Sequence, residues 1–378
     1  MTVNPKLSII VPIYNGEKHI KKTVRNLLSS SYRNLELLLI DDGSTDRSFA
    51  LCKKLEESDS RIKVYHKENG GIADARNYGL DHATGEYIGF CDQDDEVSHE
   101  MYRKMIDRII TDHSQAAICG CYRQKKNGGR VAFEKFTDDV FEQQTIREKL
   151  LLPMLFKGFT IYDNKDISIY TAIWKCIISK QLIDEKKMRF YGFVNYEDDF
   201  ILLLQLFLQA DRISTLSDIL YYWTTNMDSE MHRSVGRYLN DLESRQRSLI
   251  NYVTKVLAEN NVSSEIISQY IYVQQCRNAL LQLDNLAALK RHKTIRRIKE
   301  LRNCDSILYI QNAFNVVPPG KGFVRNTVII PMLRKNHLVT AYFLIQLIDI
   351  IRFFVEKYHV TEKLERRMKE CDRANFLS

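Results

Sequence analysis

The most constraining feature of the sequence is a regular alternation of apolar runs and amphipathic stretches over its first 121 residues. Almost continuously apolar runs lie at residues 7–14, 35–42, 62–66, 86–92 and 116–121. Runs of this kind indicate strands buried on both faces, as in a parallel sheet covered by helices. The amphipathic stretches between them, which supply those helices, lie at residues 17–30, 46–57, 71–83 and 98–112. The alternation therefore predicts a doubly wound α/β domain with a mostly parallel sheet.

The rest of the chain is richer in helix signals. Residues 190–213 lead through an acidic triplet into a strongly apolar helix, and residues 218–226 predict a strand. From about residue 238 glycines are few and the pattern indicates helices. We therefore place one domain at residues 1–225 and a helical C-terminal region at residues 226–378.

Composition narrows the class of protein. Of the 378 residues, 44% are hydrophobic and 27% are charged, which is ordinary for a folded chain with a core. The net charge of +7 is small for this length, so we expect no nucleic-acid partner. The eight cysteines lack the spacing of a zinc or redox motif and indicate reduced thiols. The apolar N-terminal run has no basic segment before it and no cleavage site, so we expect a cytoplasmic protein.

Three of the predicted strands end in polar motifs. The first ends in VPIYNG (11–16), the second in IDDGSTD (40–46) and the fourth in CDQDD (91–95). In a doubly wound sheet, ligands bind beyond the carboxyl ends of the strands, where the strand order reverses. A strand order of 3-2-1-4 makes these three ends neighbours, and it predicts that the motifs line one crevice.

The residue types in these motifs suit a nucleotide and a cation. Tyr14 offers an aromatic face to a base, and Asp41 or Asp42 can accept a hydrogen bond from a base N–H group. Asp92 and Asp94 can reach a ribose hydroxyl and a divalent cation, because Mg²⁺ and Mn²⁺ prefer oxygen ligands. So many neighbouring carboxylates need a positive partner. We predict that this partner is a metal ion carrying a diphosphate.

A fourth motif, NGGIADARNYGL (69–80), places two glycines at the start of a helix, whose N-terminus favours anions. Its Arg76, if unpaired among carboxylates, suits a phosphate or base pocket, and an ordinary salt bridge is the alternative. Acidic residues after a strand also often cap the next helix, which is the alternative for Asp46 and Asp95.

In this order, PIYN, DDGSTD, NGG-x-x-x-ARN and D-x-DD resemble the family 2 glycosyltransferases with the GT-A fold. The resemblance covers residues 7–96 and extends more loosely, through Trp174 and Lys175, to about residue 225. It implies a GT-A fold, which is a Rossmann-like α/β domain, with a nucleotide-sugar donor that is most often UDP-linked. Gln93 stands where the family often has serine, and we expect its side chain to point away from the metal.

The resemblance also implies roles for single residues. The implied donor-binding residues are Pro12, Tyr14, Asp41, Asn69, Arg76, Asp92 and Asp94. Tyr14 and Asp41 would contact the uracil, Asp92 the ribose, and Asp94 a Mn²⁺ or Mg²⁺ ion on the diphosphate. Asp92 and His232 are further candidate ligands of that metal, although an exposed histidine is the alternative for His232.

The acidic triplet Glu197, Asp198 and Asp199 has two explanations. Carboxylates at a helix N-terminus are stabilised by the helix dipole alone. The other explanation is a general base that takes a proton from an acceptor hydroxyl. The resemblance assigns this role to Asp198 with Glu197 as its neighbour, and a shift of one residue would assign it to Asp199. The implied reaction is a single displacement that inverts the anomeric configuration.

The most hydrophobic part of the chain lies near the C-terminus. Residues 338–355 approach membrane length, but Gln346, Asp349 and Arg352 interrupt the run at three-residue spacing. Charges inside a membrane are costly, so a spanning helix is not expected. A helix lying on an anionic membrane surface and an ordinary buried or dimer-forming helix both fit, and the basic stretch 290–302 is open to the same alternatives.

Taken together, the motifs predict an inverting, metal-dependent transferase that moves a sugar from a UDP-sugar to a glycan hydroxyl. The resemblance implies bacterial capsule, exopolysaccharide or other surface-glycan synthesis, with a polyprenyl-diphosphate-linked acceptor at the inner face of the membrane as one option. A non-catalytic nucleotide-sugar-binding subunit and a protein (adhesin) glycosyltransferase are alternatives, and a homo-oligomer is left open. A dehydrogenase is excluded, because G-x-G-x-x-G does not follow the first strand.

Overall fold

The computed structural model describes residues 4–124, 129–157, 169–192, 198–224, 242–287, 302, 304–313, 324–345 and 347. The chain separates into two compact units. One comprises Met1–Ser234 with Ser244–Val262, and the other comprises Val235–Glu243 with Ser263–Ser378. All motifs of the predicted site belong to the first unit. The assignment of catalysis to residues 1–225 stays a prediction.

The first unit is built on one mixed sheet. Its strands are β1 (Leu7–Ile13), β2 (Leu35–Asp42), β3 (Ile62–Lys67), β4 (Tyr87–Phe90), β5 (Glu96–Val97), β6 (Ala116–Gln124), β7 (Arg130–Glu134), β8 (Val140–Glu142), β9 (Cys176–Ser179) and β10 (Arg212–Thr224). The strand order is β3-β2-β1-β4-β9-β6-β10-β5, with β7 paired to β6 and β8 paired to β10. The predicted order of the first four strands is therefore confirmed.

Helices connect and cover these strands. They are α1 (Ile20–Leu28), α2 (Ser48–Ser58), α3 (Ile72–His82), α4 (Met101–Asp112), α5 (Gln143–Ile146), α6 (Leu152–Leu155), α7 (Lys180–Glu185) and α8 (Asp198–Gln209). A π-helical turn at Arg147–Leu151 joins α5 to α6, and a 3₁₀ turn at Ile173–Lys175 precedes β9. The four helices predicted between the five apolar runs are confirmed. They are α1 to α4, and their bounds differ from the predicted ones by a few residues.

Strands β1 to β4 run parallel, so their carboxyl ends lie at one edge. Residue register aligns these ends, since Asp41 of β2 lies opposite both Ile13 of β1 and His66 of β3. Strand β9 enters antiparallel between β4 and β6, which the sequence pattern does not predict. Its four residues are too few for a period to tell a strand from a helix.

The core explains where the acidic triplet goes. Every residue of β1 and β2 is buried, and α3 packs so closely on β1 that a Cβ at Gly79 would lie 2.5 Å from a methyl carbon of Ile10. Helix α8 is also buried on nearly all sides, and its buried residues include Asp198 and Asp199. The apolar character of α8 therefore draws two carboxylates into the interior.

The second unit consists of helices in the part that the structure describes, as predicted. These helices lie at Ser264–Ala287, Asp305–Asn312, Val324–Arg334 and residues 338–345. Arg334 Nη2 donates to the carbonyl of Ala313 at 3.1 Å. None of the described helices is long and apolar enough to span a membrane. Of the segment 338–355, for which a membrane-surface helix and a buried or dimer-forming helix are both open, residue 346 and residues 348–355 lie outside the described residues.

Candidate active site

Asp42, at the end of β2, shapes the loop that precedes α3. Its Oδ1 accepts from Lys67 Nζ at 2.6 Å and from the Gly70 amide at 2.9 Å, and its Oδ2 accepts from the Gly71 amide at 2.8 Å. The side chain of Asn69 donates to the Asp42 carbonyl at 2.9 Å. Gly71 has φ 87°, a left-handed conformation that favours glycine. Both carboxylate oxygens of Asp42 are therefore used within the protein.

Asp41 is placed differently. It is fully buried, and its Oδ2 contacts His66 Nδ1 at 2.6 Å and accepts weakly from the Ser44 amide at 3.4 Å. Its Oδ1 finds no hydrogen-bond partner among the described residues. A buried acceptor without a donor costs about 1–3 kcal/mol, so this oxygen suits a donor group of a ligand. Of the two candidates for the base N–H, the geometry favours Asp41.

The ends of β1 and β4 are joined through Gln93. The Tyr14 amide donates to Gln93 Oε1 at 3.1 Å, and Gln93 Nε2 donates to the Tyr14 carbonyl at 3.0 Å. The ring of Tyr14 stays 40% exposed and is open to stacking. Pro12 is buried within β1 and contributes to the strand that presents Tyr14. The residue that departs from the family pattern thus links two of the three motifs.

Protein groups hold most of the acidic run that follows β4. Asp92 accepts from Arg76, and Glu96 forms an ion pair with Lys22. Asp95 accepts from the Tyr221 hydroxyl at 2.8 Å and from the Thr224 amide at 2.7 Å. Arg76 and Lys22 are therefore positive partners of Asp92 and Glu96 within the chain, and the metal ion carrying a diphosphate stays a prediction.

The helix-capping alternative divides between its two candidates. Asp46 accepts from the Ser48 amide at 2.9 Å and from the Ser48 hydroxyl at 2.5 Å, at the start of α2. It therefore binds the first residue of that helix, although Arg47 and not Asp46 occupies the N-cap position. Asp95 does not cap a helix, because both of its oxygens are bound to residues of β10. Burial raises the pKa of Asp95 well above its usual range.

Arg76 is the centre of a buried ion cluster. Its Nη1 donates to Asp198 Oδ2 and to Asp199 Oδ1, each at 2.6 Å, and its Nη2 donates to Asp92 Oδ1 at 3.0 Å. The side chain is 2% exposed, and the guanidinium carbon lies 5.4 Å from the ring centre of Phe190. We name these four charged residues the Arg76 cluster. Arg76 is thus not unpaired: the salt-bridge alternative is correct, and it connects the end of β4 to the start of α8.

The neighbour of Arg76 explains the rest of the ARN motif. Asn77 Nδ2 donates to the carbonyl of Phe190, and the amide of Phe190 donates to Asn77 Oδ1, both at 2.9 Å. This reciprocal pair fixes the segment that lies over Arg76. The motif therefore positions the guanidinium and one wall of its surroundings together.

Asp198 and Asp199 differ in their remaining oxygens. Asp199 Oδ2 accepts from the Ile173 amide at 3.1 Å, so both of its oxygens are bound. Burial, together with the charges of Asp198 and Asp92, raises the pKa of Asp199 to about 7 although Arg76 opposes this. Within the described residues Asp198 contacts Arg76 through Oδ2 alone. Asp198 is the better placed of the two to accept a proton.

The same unit contains a second buried ion pair, which the sequence analysis did not predict. Lys175 Nζ pairs with Glu134 and donates to the Tyr170 carbonyl at 2.5 Å, and the Tyr170 amide donates to Glu134 Oε1 at 2.7 Å. Lys175 and Glu134 are 1% and 0% exposed. The adjacent Trp174 stacks on Tyr221, with ring centres 4.0 Å apart. Residues 170–175 are therefore fixed against the strand that carries Tyr221.

The donor set fits a hard divalent cation. Asp92 and Asp94 are half-buried carboxylates two residues apart, and the Arg76 cluster sets one cation against three carboxylates. No cluster of three or more potential ligands from His, Cys, Asp or Glu is found within the described ranges. Mg²⁺ commonly binds one or two carboxylates, with substrate phosphates and water as its other ligands. The residues present are consistent with that mode.

Two of the predicted site residues are not described by the structure, and one residue at the site was not predicted. Glu197 and His232 lie outside the described residues. His66 was not predicted, although its position at the end of β3, opposite Asp41, is a signal that strand register would have given.

Comparison with known proteins gives a consistent result. The model of the family described as Glycosyl transferase family 2 matches residues 8–177. Glycosyltransferase GlyA of Streptococcus pneumoniae is 28% identical over 226 residues, which are 58% of this chain and 31% of GlyA. The uncharacterized glycosyltransferase EpsJ of Bacillus subtilis is 30% identical over 225 residues, 60% of this chain and 62% of EpsJ. The chain thus matches less than two thirds of the length of either relative.

Among solved structures, S. aureus TarS 1-349 is similar with a TM-score of 0.60 at 20% identity, covering 89% of each chain. Its complex with UDP-GlcNAc gives a TM-score of 0.61 at 18% identity, with the same coverage. This likeness agrees with the GT-A fold implied by the motifs. Residues 8–177 of the chain are thus similar to glycosyl transferase family 2, and the curated relatives are glycosyltransferases.

Proposed function

We propose that this chain is a glycosyltransferase that moves a sugar from a UDP-sugar to a hydroxyl group of a glycan acceptor. The observation that carries the proposal is the Arg76 cluster. It couples Asp92, at the strand end where a nucleotide sugar would bind, to Asp198, the candidate base. The match of residues 8–177 to the glycosyl transferase family 2 model supports the reaction class, and the complex of TarS with UDP-GlcNAc makes UDP the first nucleotide to test.

The donor would bind across the ends of β1, β2 and β4. The exposed ring of Tyr14 would stack on the uracil, and Asp41 Oδ1 would accept from the uracil N–H group. Asn69 and the glycines that follow it open α3, whose N-terminus favours the diphosphate. Asp92 would accept from a ribose hydroxyl through the oxygen that does not contact Arg76.

Asp198 would act as the general base. Its Oδ1 would take the proton of an acceptor hydroxyl, whose oxygen forms a bond to the anomeric carbon as the bond to the diphosphate oxygen breaks. A single displacement of this kind inverts the anomeric configuration. Arg76 holds the other oxygen of Asp198 and so fixes the direction of the carboxylate. Asp199 is the weaker candidate, since both of its oxygens are bound.

A divalent cation, Mn²⁺ or Mg²⁺, would be held by Asp94 with Asp92, and it would supply charge neutralisation at the leaving diphosphate. We place the acceptor among bacterial capsule, exopolysaccharide or other surface glycans. A polyprenyl-diphosphate-linked acceptor would bring the protein to the inner face of the membrane.

Isothermal titration with UDP, with and without Mn²⁺, tests the donor site. Wild type should bind UDP more tightly with Mn²⁺, Asp94→Ala should lose the metal-dependent part, and Asp198→Ala should keep it. Asp107→Ala, at an exposed carboxylate on α4, is the matched control and should behave as wild type. Absence of UDP binding by wild type, both with and without Mn²⁺, would contradict the proposed donor.

Turnover tests the reaction. A panel of UDP-sugars is screened by release of UDP, and the product of the best donor is examined by NMR for its anomeric configuration. Asp198→Asn should lower turnover by roughly 100-fold or more, because general base catalysis contributes factors of this size. Retention of configuration would overturn the single displacement.

A further inference from the structure

His66 is a half-exposed residue at the edge of the sheet where the carboxyl ends of β1 to β4 lie. It belongs to none of the sequence motifs. It lies opposite Asp41 in the pairing of β2 with β3, and its Nδ1 is 2.6 Å from Asp41 Oδ2. Phe49 of α2 packs against the imidazole, with ring centres 4.6 Å apart at 39°. Two elements thus hold the ring against a carboxylate that is itself fully buried.

The contact divides the two oxygens of Asp41. An ionised carboxylate only accepts, so the imidazole Nδ1–H donates to Oδ2, and the Ser44 amide adds a weaker bond to the same oxygen. Oδ1 is left without a partner within the described part of the chain. His66 therefore fixes the rotation of the carboxylate so that one oxygen is bound and the other is kept for a donor.

We propose that His66 is a positioning residue that sets the preference of the donor site for uracil over cytosine. This inference rests on the proposed function, because it assumes that Asp41 faces the base. Uracil carries a hydrogen on N3 and donates to a carboxylate oxygen. Cytosine has a lone pair at N3, which is repelled by a carboxylate oxygen that is held in place.

Without His66, Asp41 can rotate. A rotated carboxylate presents its acceptor less well to uracil, and it no longer holds an oxygen against N3 of cytosine. Loss of His66 should therefore weaken UDP binding and reduce discrimination against CDP. A residue with a merely structural part would weaken both nucleotides equally.

The experiment is isothermal titration of wild type, His66→Ala and His66→Asn with UDP and with CDP, in the presence of Mn²⁺. We expect wild type to prefer UDP and His66→Ala to lose roughly tenfold in UDP affinity, about 1.4 kcal/mol, with CDP unchanged or tighter. His66→Asn should recover most of the preference, because its amide N–H lies near the position of Nδ1. His82→Ala is the matched control, since His82 Nδ1 contacts the Tyr78 carbonyl 2.8 Å away and its ring packs against Tyr65 and Tyr78 rather than against Asp41.

The outcomes separate the two proposals. An unchanged ratio of UDP to CDP affinity in His66→Ala, or an equal loss for both nucleotides in a variant that folds normally by circular dichroism, overturns the role of His66 alone. Failure of His66→Asn to recover any preference does the same. Absence of UDP binding by wild type overturns the proposed function and, with it, this inference.

Discussion

The first unit contains two ion clusters whose cations are buried to a similar degree. They differ in charge balance, because one pairs equal numbers of positive and negative groups and the other has an excess of negative groups. Lys175 is 1% exposed and faces one carboxylate, that of Glu134. Arg76 is 2% exposed and faces three carboxylates, those of Asp92, Asp198 and Asp199. A balanced buried pair needs nothing further from outside the chain. An unbalanced cluster is stabilised by proton uptake or by another cation, so the imbalance agrees with the proposed role of this cluster in a ligand site.

The titration of the two clusters follows this difference. Burial raises the pKa of Glu134, but the adjacent Lys175 charge and hydrogen bond oppose the rise. In the Arg76 cluster, burial is joined by repulsion from neighbouring aspartates, and the pKa of Asp199 is raised to about 7. One arginine is thus shared among too many carboxylates to keep all of them in their usual range.

The sharpest way to break the comparison is to remove the shared cation. Arg76→Met leaves three carboxylates buried without a positive partner, and losing one side of a buried ion pair costs roughly 3–5 kcal/mol. We expect at least this loss in the free energy of unfolding at pH 7, measured by urea denaturation. Arg61→Met is the control, because its pair with Asp59 is partly exposed and should contribute less than about 1 kcal/mol. Equal losses in the two variants would contradict the central position of Arg76.

The balanced pair should respond to a second substitution that restores neutrality. Lys175→Met alone leaves Glu134 buried and charged, and we expect a loss of roughly 3–5 kcal/mol in the free energy of unfolding. Adding Glu134→Gln removes that charge and keeps an acceptor for the Tyr170 amide, so the double variant should recover most of the loss. Adding Asp199→Asn to Arg76→Met should recover much less, since two carboxylates remain. Similar recoveries in the two cycles would remove the distinction between the clusters.

The order of the four parallel strands whose carboxyl ends carry the proposed donor site was predictable from the sequence. Continuous apolar runs of strand length predict the parallel strands, and the polar motifs at their ends predict which edge carries the site. The antiparallel insertion of β9 was not predictable, because a strand of four residues before a helix carries no period. Its place between β4 and β6 depends on long-range pairing.

Within the site, the residue types were predictable and the partners were not. The residue types alone leave Asp41 and Asp42 open and the family resemblance implies Asp41, but only the structure shows that the oxygens of Asp42 bind Lys67 and the Gly70 and Gly71 amides. The pairing of Arg76 with Asp198 joins residues 122 apart in sequence. No local pattern encodes such a contact, since it arises where the start of a buried helix meets the end of a strand.

A smaller effect should appear in the pH dependence of stability. The folded state keeps a proton on Asp199 up to about pH 7, whereas an unfolded chain releases it near pH 4, at about 3.9. The folded state therefore binds more protons in this window, and the contribution of Asp199 to stability falls as the pH rises from about 4 to about 7. Asp199→Asn removes this dependence, so its free energy of unfolding should rise relative to wild type from pH 5 to pH 8.

The slope of that difference is at most about 1.4 kcal/mol per pH unit for one proton, and urea denaturation without divalent cations measures it. Asp138→Asn is the control of opposite sign. Hydrogen bonds from Ser217 lower the pKa of the exposed Asp138, so its dependence lies at more acidic pH, and its difference from wild type should stay flat between pH 5 and 8. A flat difference for Asp199→Asn as well would mean that Arg76 keeps Asp199 ionised throughout.

The smallest expected effect tests whether neutral hydrogen bonds at the donor edge matter apart from either ion cluster. Gln93→Ala removes both bonds to the Tyr14 backbone, and at a partly exposed site we expect a loss of about 1 kcal/mol in the free energy of unfolding. Gln115→Ala is the matched control, because Gln115 Oε1 accepts from the Asp211 amide at 2.7 Å, away from the motifs. The two variants should lose similar stability, but only Gln93→Ala should weaken UDP binding, by roughly two- to fivefold, since only Gln93 fixes the residue proposed to stack on the base. Equal UDP affinities would mean that the order of β1 at its carboxyl end depends on the sheet and on the Arg76 cluster, and not on the bridge that Gln93 makes.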